Sequence, residues 1–485
     1  MSDTNRHTVC IIGGGMSGLF TGALLAKNGY KVTVLEKNHI IGGGLQSFRR
    51  GDAVFNTGMQ AFCGYDKEFA LYHLFNYFGF DKESLHIVPL DTDAQEIVWV
   101  DSDHCYRLPK TRDKYEAYLV EQFPHQAQGI HDLLDDIYEI GSTFDYFWLL
   151  PMRRHEAAAG YALITARQLL EKHLSDERLM QLFEYVGMHL GYNLSVLPAT
   201  ELGMILNLYI EGGWRIAGGN IQLATLLASF IEANSGCVMN NAEVSKVEVH
   251  DKKIIRVEIK DGRSFKADRY VCAIPPKTFL RMTDSQIFRA VTYERILDFD
   301  NDSSCYICHA KLKPNSMRYH NNLIFIPVPE KDQSLPHYIS MLTPPSLHQG
   351  EWAQTVEILC FIRYKEFKQW ENTITGRRGE DYERKKALLA QQTISYISHF
   401  YPELSEAIEQ IYVSSPLTIR DYYFNPDGAV YAQQGLFAPV KTKASHLFIT
   451  GQSVQYQGLF GVATTAIATV ETILGKSLIE EIAKA

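Results

Sequence analysis

The chain runs to 485 residues, room for two or three domains and a large core. Hydrophobic residues make up 46% and charged residues 21%, ordinary for a soluble globular protein, and a net charge of −9 with no basic cluster argues against a nucleic-acid partner. The N-terminus is polar without a signal-type apolar stretch, and no window of about 18 uninterrupted apolar residues exists, so the expectation is a cytoplasmic protein with nothing spanning a bilayer. The 27 tyrosines and 25 phenylalanines suit a large apolar ligand as well as a large core. Eight cysteines are sparse and scattered. The pair Cys305-x-x-Cys308 sits in a strand-like run without the turn or second pair that redox and metal motifs need, so reduced thiols and no metal site are expected.

Taken in chain order, Val9 to Ile12 is an apolar run of buried-strand length. Gly13-x-Gly15-x-x-Gly18 follows at once. Leu19, Ala23, Leu24 and Ala26 then give a helical stripe, Gly29 closes the helix, and Lys31 to Leu35 is a second strand ending on Glu36. The first glycine allows the tight turn, the second lets backbone approach a pyrophosphate, and the third lets helix pack on strand. The helix N-terminus, at Met16 and Ser17, presents free N–H groups to phosphate. Glu36 lies 18 residues after Gly18, close to the roughly 20 expected for a carboxylate on a ribose hydroxyl. A dinucleotide therefore belongs on the first forty residues.

Gly42, Gly43 and Gly44 form a second glycine cluster, suited to a backbone that curls past the pyrophosphate. Val54 to Gly58 reads as a strand entering a tight turn. Asp66 to Phe80 reads as a helix capped by Asp66, Gln95 to Val100 as a short strand, and residues 112–123, 129–150, 165–174, 176–190 and 199–211 as helices. Within Phe144 to Arg154, aromatics stand beside two arginines. A loop docked in a membrane interface would use them so, giving peripheral membrane contact. A buried helix end closed by cations is the commoner arrangement.

Gly212 and Gly213 read as a turn before an amphipathic helix over 220–234. Cys237 to Met239 and Ala242 to His250 follow as strands, and Lys253 to Lys260 pairs with Ser264 to Lys266 across Asp261-Gly262. Arg269 to Ala273 is another buried strand, ended by two prolines. Cys305 to Leu312, Leu323 to Val328, His337 to Leu342 and Thr355 to Tyr364 alternate like an antiparallel sheet, and Tyr382 to His399 is helical. Finally Leu447 to Thr450 is a buried strand turned by Gly451-Gln452. Gly458 and Gly461 precede a helix over Val462 to Leu474, whose N-terminus suits an electron-rich carbonyl.

The order GxGxxG, Glu36, second glycine cluster resembles the FAD-binding half of the amine oxidase and phytoene desaturase superfamily. Gly451-Gln452 before a Gly-x-x-Gly helix start is most similar to its retinol saturase branch. Phytoene desaturases and carotenoid isomerases usually carry Gly-Asp there and a proline where Phe460 stands. Many relatives also carry an acid in place of Asn56, and an arginine or lysine in place of Gly44 or Leu45. The resemblance implies an α/β fold: a Rossmann-like FAD domain of parallel sheet plus antiparallel hairpin, over 1–65, 213–284 and 415–485. An interleaved α+β substrate domain would take 66–212 and 285–414.

The resemblance implies FAD held by Gly13, Gly15, Met16, Ser17, Gly18, Glu36, Lys37, Gly43, Gly44, Leu45, Gln46, Val244, Gly451, Gln452, Gly458, Gly461 and Val462, with the Val244 backbone under the adenine. It further implies an FAD-dependent oxidoreductase acting on carbon–carbon double bonds of an elongated hydrophobic polyene, by saturation, desaturation or isomerisation, with an external electron donor or acceptor that the sequence does not name. Met59, Gln60, Tyr456 and Gln457 flank the flavin motifs as candidate catalytic groups. His189 is either a proton donor or a core histidine. Two other readings stay open: an amine or amino-acid oxidase, with Arg420 and Tyr422 as substrate anchors, and a non-enzymatic prenyl-lipid chaperone akin to the Rab GDP-dissociation inhibitors.

Overall fold

The computed structural model describes residues 7–151, 153, 155–283, 287–299, 302–328, 334–431 and 442–485. Met152 and Arg154 of the aromatic–arginine stretch, and the expected domain boundary at 284–285, lie outside the described residues.

Five strands form a parallel sheet in the order Cys237–Met239, Lys31–Leu35, Thr8–Ile12, Arg269–Cys272, Leu447–Ile449. These strands are apolar because helices cover them. Met16–Lys27 packs against both Ile221–Ala233 and Gly458–Leu474, and parallel sheets are stable only when so covered. An antiparallel hairpin, Val244–His250 with Lys253–Ile259, stands beside this sheet. The expected α/β class is therefore present, with a parallel sheet and a second, mixed sheet.

The mixed sheet has seven strands: Ile408–Ser414, Ser303–Leu312, Thr355–Arg363, Tyr338–Leu342, Leu323–Pro327, Glu96–Trp99 and Cys105–Leu108. It is not purely antiparallel, as its alternation suggested. Glu96–Trp99 joins Leu323–Pro327 in parallel and brings a strand from the helical half of the chain. Its strands are buried on both faces over much of their length, so side-chain alternation says little about their direction. Cys305 and Cys308, an odd number of residues apart, point to opposite faces and remain free thiols.

Several boundaries moved for physical reasons. The helix expected from Asp66 begins at Ala70, because the Asp66 carboxylate is engaged by Lys110 Nζ at 3.0 Å and Trp214 Nε1 at 3.2 Å. The helix expected over 129–150 spans Ala127–Ser142; a 3₁₀ turn, Asp145–Trp148, follows and ends on Leu149 at φ 50°. Gly213–Ile216 is not a turn but a strand, paired with Phe62–Cys63 and Ile87–Pro89. The last long helix starts at Gly458, four residues before Val462, since glycine does not prevent a first helical turn whose N–H groups are free in any case.

Candidate functional site

Ligands of open parallel sheets bind beyond the carboxyl ends of the strands. Here those ends are followed by Gly13, Glu36, Ala273 and Gly451, and all four line one cavity of about 320 Å³. The segments meeting there are separated by hundreds of residues, so the cavity is a product of sheet order.

The three motif glycines differ in what surrounds them. Gly13 has φ +109°, and a Cβ there would stand 2.7 Å from Ile274 Cγ2 and 3.0 Å from the Ala273 carbonyl oxygen. At Gly18 a Cβ would stand 2.0 Å from the Gly13 carbonyl oxygen. Both are closed by the protein's own atoms. At Gly15 the nearest atom is Gly43 Cα at 4.0 Å, and Gly15 lines the cavity. A side chain there would fill ligand space. The second cluster docks on the first through a Gly42 N–H donated to the Gly14 carbonyl at 2.8 Å.

Two helix N-termini reach the cavity, at Gly15–Ser17 and at Gln457–Gly461. Neither carries a side-chain cap or an acidic residue in its first turn. Two uncapped N-termini at one cavity make an anion-accepting surface.

Glu36 is buried at the end of its strand. Its Oε2 accepts from Gly14 N–H at 2.9 Å and its Oε1 from Asn38 N–H at 2.8 Å. Burial pushes its carboxyl above the usual range, and those two N–H groups work against that rise. An ionised carboxylate offers about four acceptor positions, so two remain for hydroxyl donors. Burial pushes the neighbouring Lys37 down; its ammonium donates to the Asp421 carbonyl and lies 4.0 Å over the Phe424 ring.

Of the residues expected from sequence, Gly13, Gly15, Met16, Ser17, Glu36, Lys37, Gly43, Gly44, Leu45, Val244, Gly451, Gln452, Gly458, Gly461 and Val462 all line the cavity, together with Met59, Gln60 and Gln457. Three stand behind the lining. Gly18 lies under Gly13. Gln46 latches its loop by donating from Nε2 to the Ile40 carbonyl at 2.8 Å. Tyr456 packs edge-on against Phe144 and Phe147. Met59 and Gln60 are held from both sides. Asn220 Nδ2 donates to the Met59 carbonyl at 2.7 Å, and Ser340 Oγ donates to Gln60 Oε1 at 2.6 Å. Arg420 does not face the cavity; its guanidinium is taken up by Asp421 and the Glu371 carbonyl.

Sequence reasoning passed over the far side of the cavity. Tyr423 closes on Gly58, where a Cβ would meet its hydroxyl at 2.3 Å, and donates to the Thr57 carbonyl at 3.3 Å. Beyond the glycines the cavity continues between Phe62, Met188, Leu190, Met204, Ile205, Leu208, Leu323 and Leu359. These positions carry no motif, because any apolar residue of suitable volume serves there. Phe144, Tyr146 and Phe147 are core, not a surface loop, and no helix among the described residues is long and apolar enough to cross a membrane.

Residues 16–293, more than half of the chain, match the family model for flavin containing amine oxidoreductases. Along nearly its whole length the chain is similar to the all-trans-retinol 13,14-reductase of Danio rerio, 22% identical over 533 residues that cover 96% of this chain and 86% of that protein. It is similar to the chloroplastic prolycopene isomerase 1 of an Oncidium hybrid cultivar, 21% identical over 525 residues that cover 99% of this chain and 86% of that one. The solved structure of an oxidoreductase from Methanosarcina mazei shares the fold, with a TM-score of 0.65 at 15% identity over 97% of this chain and 100% of the other.

Proposed function

The chain belongs to the flavin containing amine oxidoreductase family and is an FAD-dependent oxidoreductase; from that premise we propose that it acts on carbon–carbon double bonds of an elongated apolar polyene, by saturation, desaturation or isomerisation. The observation that carries this reading is the chamber past Met59 and Gln60. It is walled by leucine, isoleucine, methionine and phenylalanine, and the one arginine considered as an anchor for an amino acid, Arg420, is engaged elsewhere. A conjugated hydrocarbon chain needs burial and few polar contacts.

The residues present fit FAD. The space at Gly15 and the two uncapped helix ends suit a pyrophosphate and an electron-rich ring carbonyl, and Glu36 keeps acceptor positions for ribose hydroxyls. When bound, FAD supplies two-electron carbon–hydrogen chemistry. The chain supplies the rest. Gly15, Met16 and Ser17 would hold the pyrophosphate, Glu36 the ribose and Val244 the adenine. Gly451, Gln452 and Gly458 to Val462 would hold the ring, with Met59 and Gln60 setting the substrate against it. The apolar walls keep water from the reacting carbons. Eight free thiols support a reducing, cytoplasmic setting.

The test is an absorbance spectrum of purified protein followed by anaerobic mixing. The oxidised enzyme should be yellow. All-trans-retinol or prolycopene should change the flavin's redox state, or be isomerised with no net change, while putrescine leaves it untouched. Rapid bleaching by an amine, with peroxide formed on admitting air, would overturn the polyene reading.

A further inference from the structure

Among the described residues lining the cavity, Glu36 and Lys37 mark the end of one strand. His189, well apart from them, is the one imidazole in that lining. It ends the 3₁₀ turn Glu184–His189. Its ring lies over Tyr209 with centroids 4.1 Å apart and meets Phe325 at 5.6 Å, nearly edge-on. Nε2 faces Glu96 Oε1 at 3.4 Å. Glu96 is 1% exposed, and these two facing atoms are buried close together without a hydrogen bond, to each other or to any other group. The second Glu96 oxygen accepts from the Tyr185 hydroxyl at 2.6 Å.

A carboxylate sealed from water is costly unless a cation or a proton meets it. The group that meets Glu96 is the one imidazole facing the chamber. A carboxylate behind an imidazole fixes its tautomer and stabilises the imidazolium when it forms. A proton on Nε2, drawn to Glu96, would leave Nδ1 as the ring nitrogen free to exchange a proton with a ligand.

We propose that His189 is the proton donor to the double bond, and that Glu96, steadied by Tyr185, is the positioning residue behind it. This rests on the polyene reading above. In the reducing direction, with reduced FAD bound as the two-electron donor, one carbon of the double bond would take a hydride. The π electrons form the bond between the neighbouring carbon and the proton leaving Nδ1. The product would gain two hydrogens, its two added electrons supplied by the bound flavin; His189 would be left neutral, and solvent would restore its proton. Desaturation is the reverse, with Nδ1 as acceptor.

Two measurements on the FAD-loaded protein test this. The first is ¹⁵N-histidine NMR, with His189 assigned by its loss in His189→Gln. The other titratable groups around the pair are Cys63, Tyr115, Tyr185 and Tyr209, all pushed up by burial and neutral in this range. The His189 midpoint should fall by about one unit or more in Glu96→Gln and by less in Tyr185→Phe. A midpoint unmoved by Glu96→Gln, or no titration between about pH 5 and 9, overturns the pair.

The second is anaerobic re-oxidation of photoreduced enzyme by all-trans-retinol or prolycopene. His189→Gln should keep the flavin spectrum and half-saturating polyene concentration and lose roughly a hundredfold or more in rate constant. A rate constant kept while the half-saturating concentration rises makes His189 a substrate anchor and overturns the proposal. If neither polyene re-oxidises wild-type enzyme, reduces its oxidised form or is isomerised by it, the functional reading fails and the proton-donor role with it. The NMR titration separates that outcome from failure of the His189–Glu96 pair alone.

Discussion

The cavity has two walls built on opposite principles. The wall we assign to the cofactor, Gly13 to Gly18 with Gly42 to Gly44 and Gly451 to Gly461, leaves side chains out, so that backbone borders the cavity directly. The chamber wall, from residues 188–209 and 323–359, works by putting side chains in: apolar ones for the substrate, with a few buried polar groups locked to one another behind them. A backbone wall is specified by neighbours in sequence. A side-chain wall is specified by whatever the sheet order brings together, and it tolerates exchange more readily.

Three substitutions sharpen or break this contrast. The largest effect is expected from Gly18→Ala. Its Cβ would lie 2.0 Å from a backbone oxygen, and nothing there can give way, so it should cost about 3 kcal/mol or more of stability. Chemical denaturation with and without FAD measures this. Gly15→Val, three residues away, should behave differently. The space is open, so FAD affinity should fall about a hundredfold, roughly 2.7 kcal/mol, while the FAD-free protein keeps its thermal midpoint within a few degrees. If both variants lose stability alike, the division between packing glycines and ligand-facing glycines is wrong.

The smallest effect is expected behind the chamber wall. Glu357 is buried, accepts from Asn56 N–H at 2.6 Å, and burial pushes its carboxyl up to about 8. It pairs in register with His309, which burial pushes down to about 3 and which is therefore neutral. A carboxyl whose folded value is raised binds its proton more tightly in the native state. Its stabilising share is complete below the unfolded value of about 4.5 and is lost as pH rises through about 8. Glu357→Gln keeps an acceptor for Asn56 and removes the titration. Between pH 6 and pH 8 the unfolding free energy from urea titration should fall by about 2 kcal/mol more in wild type than in the variant. Equal slopes would mean that Glu357 is not protonated in the native state.

The cofactor wall was legible because its signals are local. A glycine spacing, a strand before it, a helix after it and an acid 18 residues on all lie within one supersecondary unit, and each follows from backbone geometry. The five parallel strands were identified singly for the same reason, from short apolar runs. Boundaries were less legible where a side chain's partner lies far away. Asp66 looks like a helix cap until Lys110 and Trp214 take it.

By itself, then, the sequence determined that a dinucleotide cofactor is bound and which turn and which acid stand at the end of its strands, because steric and hydrogen-bonding demands at a βαβ turn act over a few residues. Only the tertiary structure decided what stands across the cavity. His189 and Tyr185 share one 3₁₀ turn, and Glu96 comes from a strand, 89 residues before Tyr185, with no motif linking the two segments. Their contact exists because Glu96–Trp99 inserts beside Leu323–Pro327 in the mixed sheet and carries a carboxylate under the 3₁₀ turn that ends at His189. Pairing between distant strands is set by packing of the whole core, which no local pattern encodes.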